Sequence, residues 1–376
     1  MQKRIKEAKG ITLVALIITV IILLILAGVT ISLVIGENGL IAKSKEGVNK
    51  YKDKAKEEQW QLEDFEKGME QISIENLKDE TEHPELKQMK LLLYITEDNK
   101  TISLPVYSYG NGKYDCEVDW GDGTTVQVTN EEAKTTKHTY EKTGEYMLVI
   151  EGTYESLYVE YNNISMQKAL KKVEQWGATG LKRIYLGSCT NLEKIAEPSK
   201  NSFINVTYFG DIFRECSSLT AIPEKLFANC SDVELFRYTF SGCSSLRAIP
   251  ERLFANCTKV TNFDETFSGC SSLRAIPERL FVNCTNVQSF EGTFEGCENL
   301  ENIPKNLFDN CSKVEKFDKT FYMCSNLKGK SIELWKRNNE KIAEDKGGFG
   351  CFFLCEGLED YQDIPEYWRH IDDGPR

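Results

Sequence analysis

The residue types best able to do chemistry in this chain are thirteen cysteines and three histidines, and their spacing is more informative than their number. Cys216, Cys243, Cys270, Cys297 and Cys324 stand 27 residues apart, as do Cys230, Cys257, Cys284 and Cys311, and Cys189 extends the first series backwards. A zinc site asks for a C-x2-C pair or histidine partners. The 13- and 14-residue intervals between the two series supply neither, and His83, His138 and His370 are scattered. Two carboxylates, Asp119 and Asp122, are a candidate calcium pair, but without a third acidic neighbour a turn is the simpler reading. No G-x-S-x-G, H-E-x-x-H or Walker-type word occurs, so hydrolysis or nucleotide chemistry has no carrier. The expectation is a non-enzymatic protein with no catalytic residue, cofactor or metal.

The elements that must position these cysteines form an internal repeat. The unit Cys243-Ser-Ser-Leu246-Arg-Ala-Ile249-Pro250-Glu-Arg-Leu253-Phe254-Ala-Asn256-Cys257, followed by Val260, Phe263 and Phe267, recurs almost verbatim. Self-similarity at this period predicts a solenoid, whose units bury their apolar faces only by stacking. Within each unit Phe254-x-x-Cys257-x-x-Val260-x-x-Phe263 and Phe267-x-x-Cys270-x-x-Leu273-x-x-Ile276 share one form. A spacing of three fits a coil that turns corners, with short strands or helical turns. Stacked coils bring like residues to roughly 4.8 Å, beyond the ~3.5–4.5 Å between Cβ atoms that a disulfide prefers. Buried thiols acting as small apolar packing groups are therefore expected, with Cys351 and Cys355 as the one close pair suited to stapling a cap. The Asn229, Asn256, Asn283 and Asn310 column reads as a hydrogen-bond ladder.

The Phe-x-x-Cys-x-x-Leu word resembles the leucine-rich repeats of BspA-like bacterial surface proteins. The resemblance is clear over about 189–327, within a repeat domain expected over 181–330, and residues 331–376 read as an insertion, Lys328–Lys346, and a degenerate capping copy, Phe352-x-x-Cys355-x-x-Leu358. On this fixed frame some columns vary. They include Glu234, Tyr238, Asp264, Glu265, Glu291 and Asp318, which are expected to face solvent as a mostly acidic strip and are the candidate partner-binding residues. A merely soluble face is the alternative.

The N-terminus is of a different kind. Residues 1–10 carry Lys3, Arg4, Lys6 and Lys9 against Glu7, and Ile11 to Ile35 contains no charge. As a helix those positions span roughly 37 Å, enough to cross a bilayer, with the basic end inside and the rest of the chain outside. The junction Gly10-Ile11-Thr12-Leu13-Val14 resembles a type IV prepilin processing site. That resemblance implies cleavage after Gly10 by a prepilin peptidase and methylation of Ile11, with pilin subunits as partners; an uncleaved anchor is the alternative. Ala15 stands where pilins usually carry Glu, which puts filament assembly in doubt. After the transmembrane helix, 11–36, the residues Ile41, Val48, Tyr51, Ala55, Leu62, Phe65, Met69 and Ile72 form a heptad-like stripe, predicting an amphipathic helical stalk over 37–80 or else a charged linker.

From Lys87 the period changes to two. Leu91–Ile95, Ile102–Val106 and Tyr146–Ile150 read as strands, with turns at Asn111-Gly112 and Gly121-Asp122-Gly123. The words Val118-Asp119-Trp120-Gly121-Asp122-Gly123-Thr124 and His138-Thr139-Tyr140 resemble the signatures of PKD-like domains, which implies an immunoglobulin-like β-sandwich over 87–165. In that family His138 is a structural position.

Composition bounds the function. Fifty-eight Asp and Glu against forty-six Lys and Arg give a formal charge of −12, which offers no global cationic field to attract nucleic acid. Nine Pro and twenty-six Gly exclude collagen, and 41% hydrophobic residues exclude wholesale disorder. The expected protein is multidomain: membrane helix and stalk, sandwich, repeat head. It is held at a bacterial cell surface or on a pilus, and its head binds an extracellular protein or glycan. A minor pilin or pseudopilin subunit is the alternative.

Overall fold

The computed structural model describes residues 83–107, 112–337 and 340–370. The expected leader, membrane helix and stalk, with Gly10 and Ile11, lie outside the described residues. Among the described residues no helix is long and apolar enough to cross a membrane.

Strict alternation produces the first strands. In β1 (Met89–Ile95) the side chains of Met89, Leu91, Leu93 and Ile95 are buried, and in β3 (Tyr114–Asp119) those of Tyr114, Cys116 and Val118. The remaining strands are β2 (Thr101–Ser103), β4 (Thr125–Thr129), β5 (Lys137–Thr139), β6 (Gly144–Tyr154), β7 (Ser156–Tyr158), β8 (Leu170–Gln175), β9 (Arg183–Tyr185) and β10 (Lys194–Ile195). They form a six-stranded sheet in the order β10-β8-β1-β6-β3-β4 and two pairs, β2-β5 and β7-β9. The expected strand over 102–106 is shorter, since only its first two residues pair as part of β2.

The tight turn after β3 uses the freedom of glycine: Gly121 and Gly123 have φ of 82° and 93°, and a Cβ on Gly121 would strike the backbone of Met147. Asp119 Oδ1 accepts from the Gly121 amide at 2.8 Å. Asp122 Oδ1 accepts from the Thr124 amide and hydroxyl, and its Oδ2 lies 2.7 Å from His138 Nε2. Burial alone would raise the Asp122 carboxyl, but the bonds from Thr124 and His138 outweigh it and hold the group below the usual carboxylate range. His138 stacks on Trp120 at 5.0 Å, and the Tyr140 hydroxyl donates to the Trp120 carbonyl. Both carboxylates thus serve the turn, and the histidine packs beneath it.

Residues 166–180, between the two expected modules, are where they join. Helix α1 (Ile164–Ala169), capped by Asn163, runs straight into β8, which pairs antiparallel with β1 and parallel with β10. On the other side β7 pairs parallel with β9. Trp176 is buried where these elements meet, 5.0 Å from Phe203, with its indole donating to the Ala196 carbonyl. The sheet of the β-module therefore continues into the first repeat coil.

Beyond it the chain is a stack of 27-residue coils built mostly of turns. Each coil donates to the next: the amides of Phe213, Phe240, Phe267 and Phe294 bond the carbonyls of Thr239, Thr266, Thr293 and Thr320 at 2.9 Å. Single parallel bridges Leu235–Asn262–Ser289–Lys316 run along another side, so the expected short strands shrink to one residue per coil. The apolar residue at every third position turns inward. Phe236, Phe263, Phe290 and Phe317 stack at 5.7–5.9 Å, Phe240, Phe267, Phe294 and Phe321 at 5.5–5.7 Å.

All thirteen thiols are buried and unpaired. In the first series each Sγ–H donates to a carbonyl of the preceding coil, as from Cys243 to Phe213 and Cys270 to Phe240 at 3.2 Å. The second series makes longer contacts, such as 3.9 Å from Cys257 to Phe227. Burial pushes these thiols up, Cys243 to about 12. Cys351 and Cys355 are likewise unstapled; Cys355 donates to the Phe321 carbonyl at 3.0 Å. The asparagine column bonds one coil to the last, as from Asn283 to Ala255 at 2.7 Å. A second polar column, Thr239, Thr266, Thr293 and Thr320, is fully buried, and its hydroxyls point at two phenylalanine carbonyls each, Phe209 and Phe236 for Thr239. At the far end Phe352 stacks on Phe321, and Trp335 from the insertion meets Trp368 of α2 (Glu366–Arg369) at 6.0 Å, covering the last coil.

Candidate binding face

The variable columns lie on the side of the coils carrying the parallel bridges. Their backbone is fixed by amides running from coil to coil: Asp211 to Arg237, Tyr238 to Asp264, Glu265 to Glu291 and Gly292 to Asp318, at 2.8–3.0 Å. Asp211, Tyr238, Glu265, Gly292 and Lys319 all sit in the left-handed region, φ 51–60°. That bend repeats at each coil and sets the direction in which the side chains leave the stack.

Not every expected contact residue is free for a partner. Asp264 is buried, 8% exposed, and ties three coils together. Its Oδ2 accepts from Asn262 Nδ2 at 2.8 Å and lies 3.7 Å from Arg237 Nε; its Oδ1 accepts from the Ser289 hydroxyl and the Glu291 amide. Asp264 is therefore a structural knot, and the expectation that it faces solvent is corrected: it is buried between the coils. Asp318 Oδ1 accepts from the Phe349 amide at 2.6 Å and anchors the cap. Glu234 is exposed, and Tyr238, Glu265 and Glu291 are half-buried at the surface.

These surface groups are electrostatically linked. Tyr238 lies between two guanidinium groups, Arg214 at 5.1 Å and Arg237 at 5.5 Å from its ring centre. Glu291 is raised by desolvation and by Asp264, with Lys316 3.8 Å away pulling it back. Glu295 beside it is raised by desolvation, and so is Asp318. The strip thus passes from an Arg–Tyr–Arg stack to partly desolvated carboxylates whose mutual repulsion a cationic ligand would relieve.

Sequence reasoning missed the row of tyrosines that begins this face. Tyr158 and Tyr185 are register partners in β7 and β9, with rings 4.8 Å apart, and Tyr107 packs edge-on against Tyr158. With Tyr208 they line a hollow of about 410 Å³, together with Lys182, Arg183, Thr207 and Asp211. Burial pushes the Tyr185 phenol up to about 12. One signal was present: Tyr158 and Tyr185 are 27 residues apart, so the repeat register already runs through them. Among the described residues no group of three or more His, Cys, Asp or Glu is placed to hold a metal ion.

Residues 160–315 match the BspA type leucine-rich repeat region, in six copies. The match starts before β8 and takes in the coil that shares a sheet with the β-module. None of the curated proteins matches the chain.

Proposed function

We propose that this chain is a non-enzymatic bacterial surface protein whose leucine-rich repeat head binds a partner outside the cell. The observation that carries this reading is a strip of changing side chains on an almost invariant frame: Glu234, Tyr238, Glu265 and Glu291 differ from coil to coil, while the Phe, Cys and Thr columns beneath them do not. The family match supports it. The partner is a protein segment rich in Lys and Arg, because past Tyr238 the carboxylates Glu265, Glu291 and Glu295 outnumber the lysines Lys316 and Lys319, and Glu291 and Glu295 are partly stripped of water. Residues 11–36 serve as the membrane span, with the basic leader inside and the head outside. The β-module, PKD-like in its signature words, caps the repeat stack.

The test uses the full chain in detergent against a lysine-rich peptide. The double change Glu265→Gln and Glu291→Gln keeps shape and removes charge, so binding should weaken more at low salt than at high salt. Unaltered binding at both salts removes the strip from the contact. The Gly10-Ile11 junction supports pilin-type processing, for which intact mass of surface material should show loss of residues 1–10 and a methylated Ile11; retained Met1 throughout leaves a plain anchor. Recovery from sheared filaments, not membranes, would favour the pilin-subunit reading.

A further inference from the structure

The hollow at the start of the face has a chemistry unlike the acidic strip. Tyr185 and Tyr208 are each followed two residues later by a glycine, Gly187 and Gly210, and a Cβ at either glycine would strike the tyrosine ring. The rings therefore lie across the backbone of their own coil, and Tyr208 is left 50% exposed. A side chain there would have lifted the ring off the surface. Tyr158, stacked on Tyr185 at 24°, continues the aromatic wall, while the phenol edges and the Thr207 hydroxyl supply hydrogen-bonding groups.

One charged group of this hollow is poised for a ligand. The Arg183 guanidinium is held 4.8 Å over the Tyr107 ring, and among the described residues no carboxylate pairs with it. The other charges are engaged: Lys182 binds Glu155 at 2.7 Å and Asp211 faces Arg214 at 3.4 Å. A ligand fitting this set has a ring with an apolar face to lie on tyrosine, hydroxyls to meet phenol edges, and an anionic group for Arg183. A cationic peptide would meet Arg183 and Lys182 instead.

We propose that the hollow formed by Tyr107, Tyr158, Tyr185, Tyr208 and Arg183 binds one unit of an acidic glycan, its pyranose ring against tyrosine and its carboxylate on Arg183. The site is separate from the carboxylate strip and stands whether or not a basic peptide binds there. It makes the face bipartite, with a saccharide end beside the β-module and an acidic end towards the cap.

The test is calorimetric titration of the full chain in detergent with hyaluronan tetrasaccharide and, as a counterpart without carboxylates, chitotetraose. The acidic probe should bind the more tightly. Arg183→Gln should weaken the acidic probe by about tenfold or more, the equivalent of one charge-assisted hydrogen bond, and leave chitotetraose unchanged. Tyr208→Ala, at an exposed ring, should weaken both probes, with the melting temperature of each variant confirming the fold. Equal affinity for the two probes, or acidic-probe binding untouched by Arg183→Gln, overturns the anionic assignment. Binding of neither probe by the wild-type chain, or indifference of both to Tyr208→Ala, overturns the site. None of these outcomes depends on peptide capture by the strip.

Discussion

Leu273 is fully buried in the repeat core, whereas the Arg274 side chain beside it is 76% exposed and only loosely paired with Glu301 at 3.9 Å. Leu273→Ala should therefore cost about 2–5 kcal/mol through lost burial and the cavity left behind, and Arg274→Ala within about 0.5 kcal/mol. Denaturant melts of the two variants check this, and similar losses would reverse the inward face. The cysteines lead to a second expectation. All thirteen are buried, and burial holds the repeat thiols well above their ordinary range, so little thiolate exists at neutral pH to react. The native protein should give no thiol titre with an aromatic disulfide reagent over minutes, and thirteen on unfolding; a titre of several in the native state would mean that the columns are open. At this scale the sequence was legible where a residue type repeats in phase, as Cys243 and Leu273 do. It was opaque at Asp264, because a carboxylate in a variable column looks solvated until Asn262, Ser289 and Arg237 are seen to converge on it.

At the scale of the coil, two left-handed columns set the bends. One contains Glu215, Gly242, Gly269, Gly296 and Met323, with φ of 59–75°. Glycine takes that conformation freely, whereas a residue with a Cβ is disfavoured by about 1–2 kcal/mol. Met323 is exposed, so replacing it with glycine removes the penalty without opening a core cavity. Allowing for the greater freedom of glycine when unfolded, Met323→Gly should stabilise by about 0.5–1 kcal/mol. Gly269→Ala, where an added Cβ meets only Gly242 atoms at 3.5 Å, should destabilise by about 1 kcal/mol. Thermal melts of both variants decide it; a Met323→Gly variant no more stable than wild type would mean that the column carries no strain. The sequence announced the coils by their period and the β-module by its turn words, but gave little sign of β8. Leu170-Lys-Lys-Val173-Glu-Gln175 has one apolar residue in three, as a repeat coil does, and becomes a sheet strand only because β1 lies alongside.

At the scale of the whole described unit, 83–370, the β-module and the repeats share one sheet and one continuous apolar core. They should therefore unfold together, in a single transition seen equally by far-ultraviolet and tryptophan signals. A chain beginning at residue 181 loses β8 and Trp176, leaving Phe203 and Phe213 without their cover. Loss of a buried tryptophan alone costs about 3–5 kcal/mol, so this fragment should melt well below one beginning at 83 and bind a hydrophobic dye. Two separate transitions in the longer fragment, or equal stability of the two, would show that the modules are independent.

The in-phase columns also make the number of coils a free variable. Excision of residues 244–270 joins Cys243 to Ser271, the same words that Cys243 and Ser244 already form, and along the Phe, Cys and Thr columns each new neighbour pair repeats one that exists elsewhere in the stack, while the Asp264 knot is lost. The cap would shift towards the β-module by one inter-coil step, roughly 4.8 Å, with its own packing unchanged. Both ends are thus indifferent to what lies between them. Duplication or loss of 27 residues lengthens or shortens the carboxylate run while sparing the tyrosine hollow, so the reach of the acidic end can drift between lineages as the saccharide end stays constant.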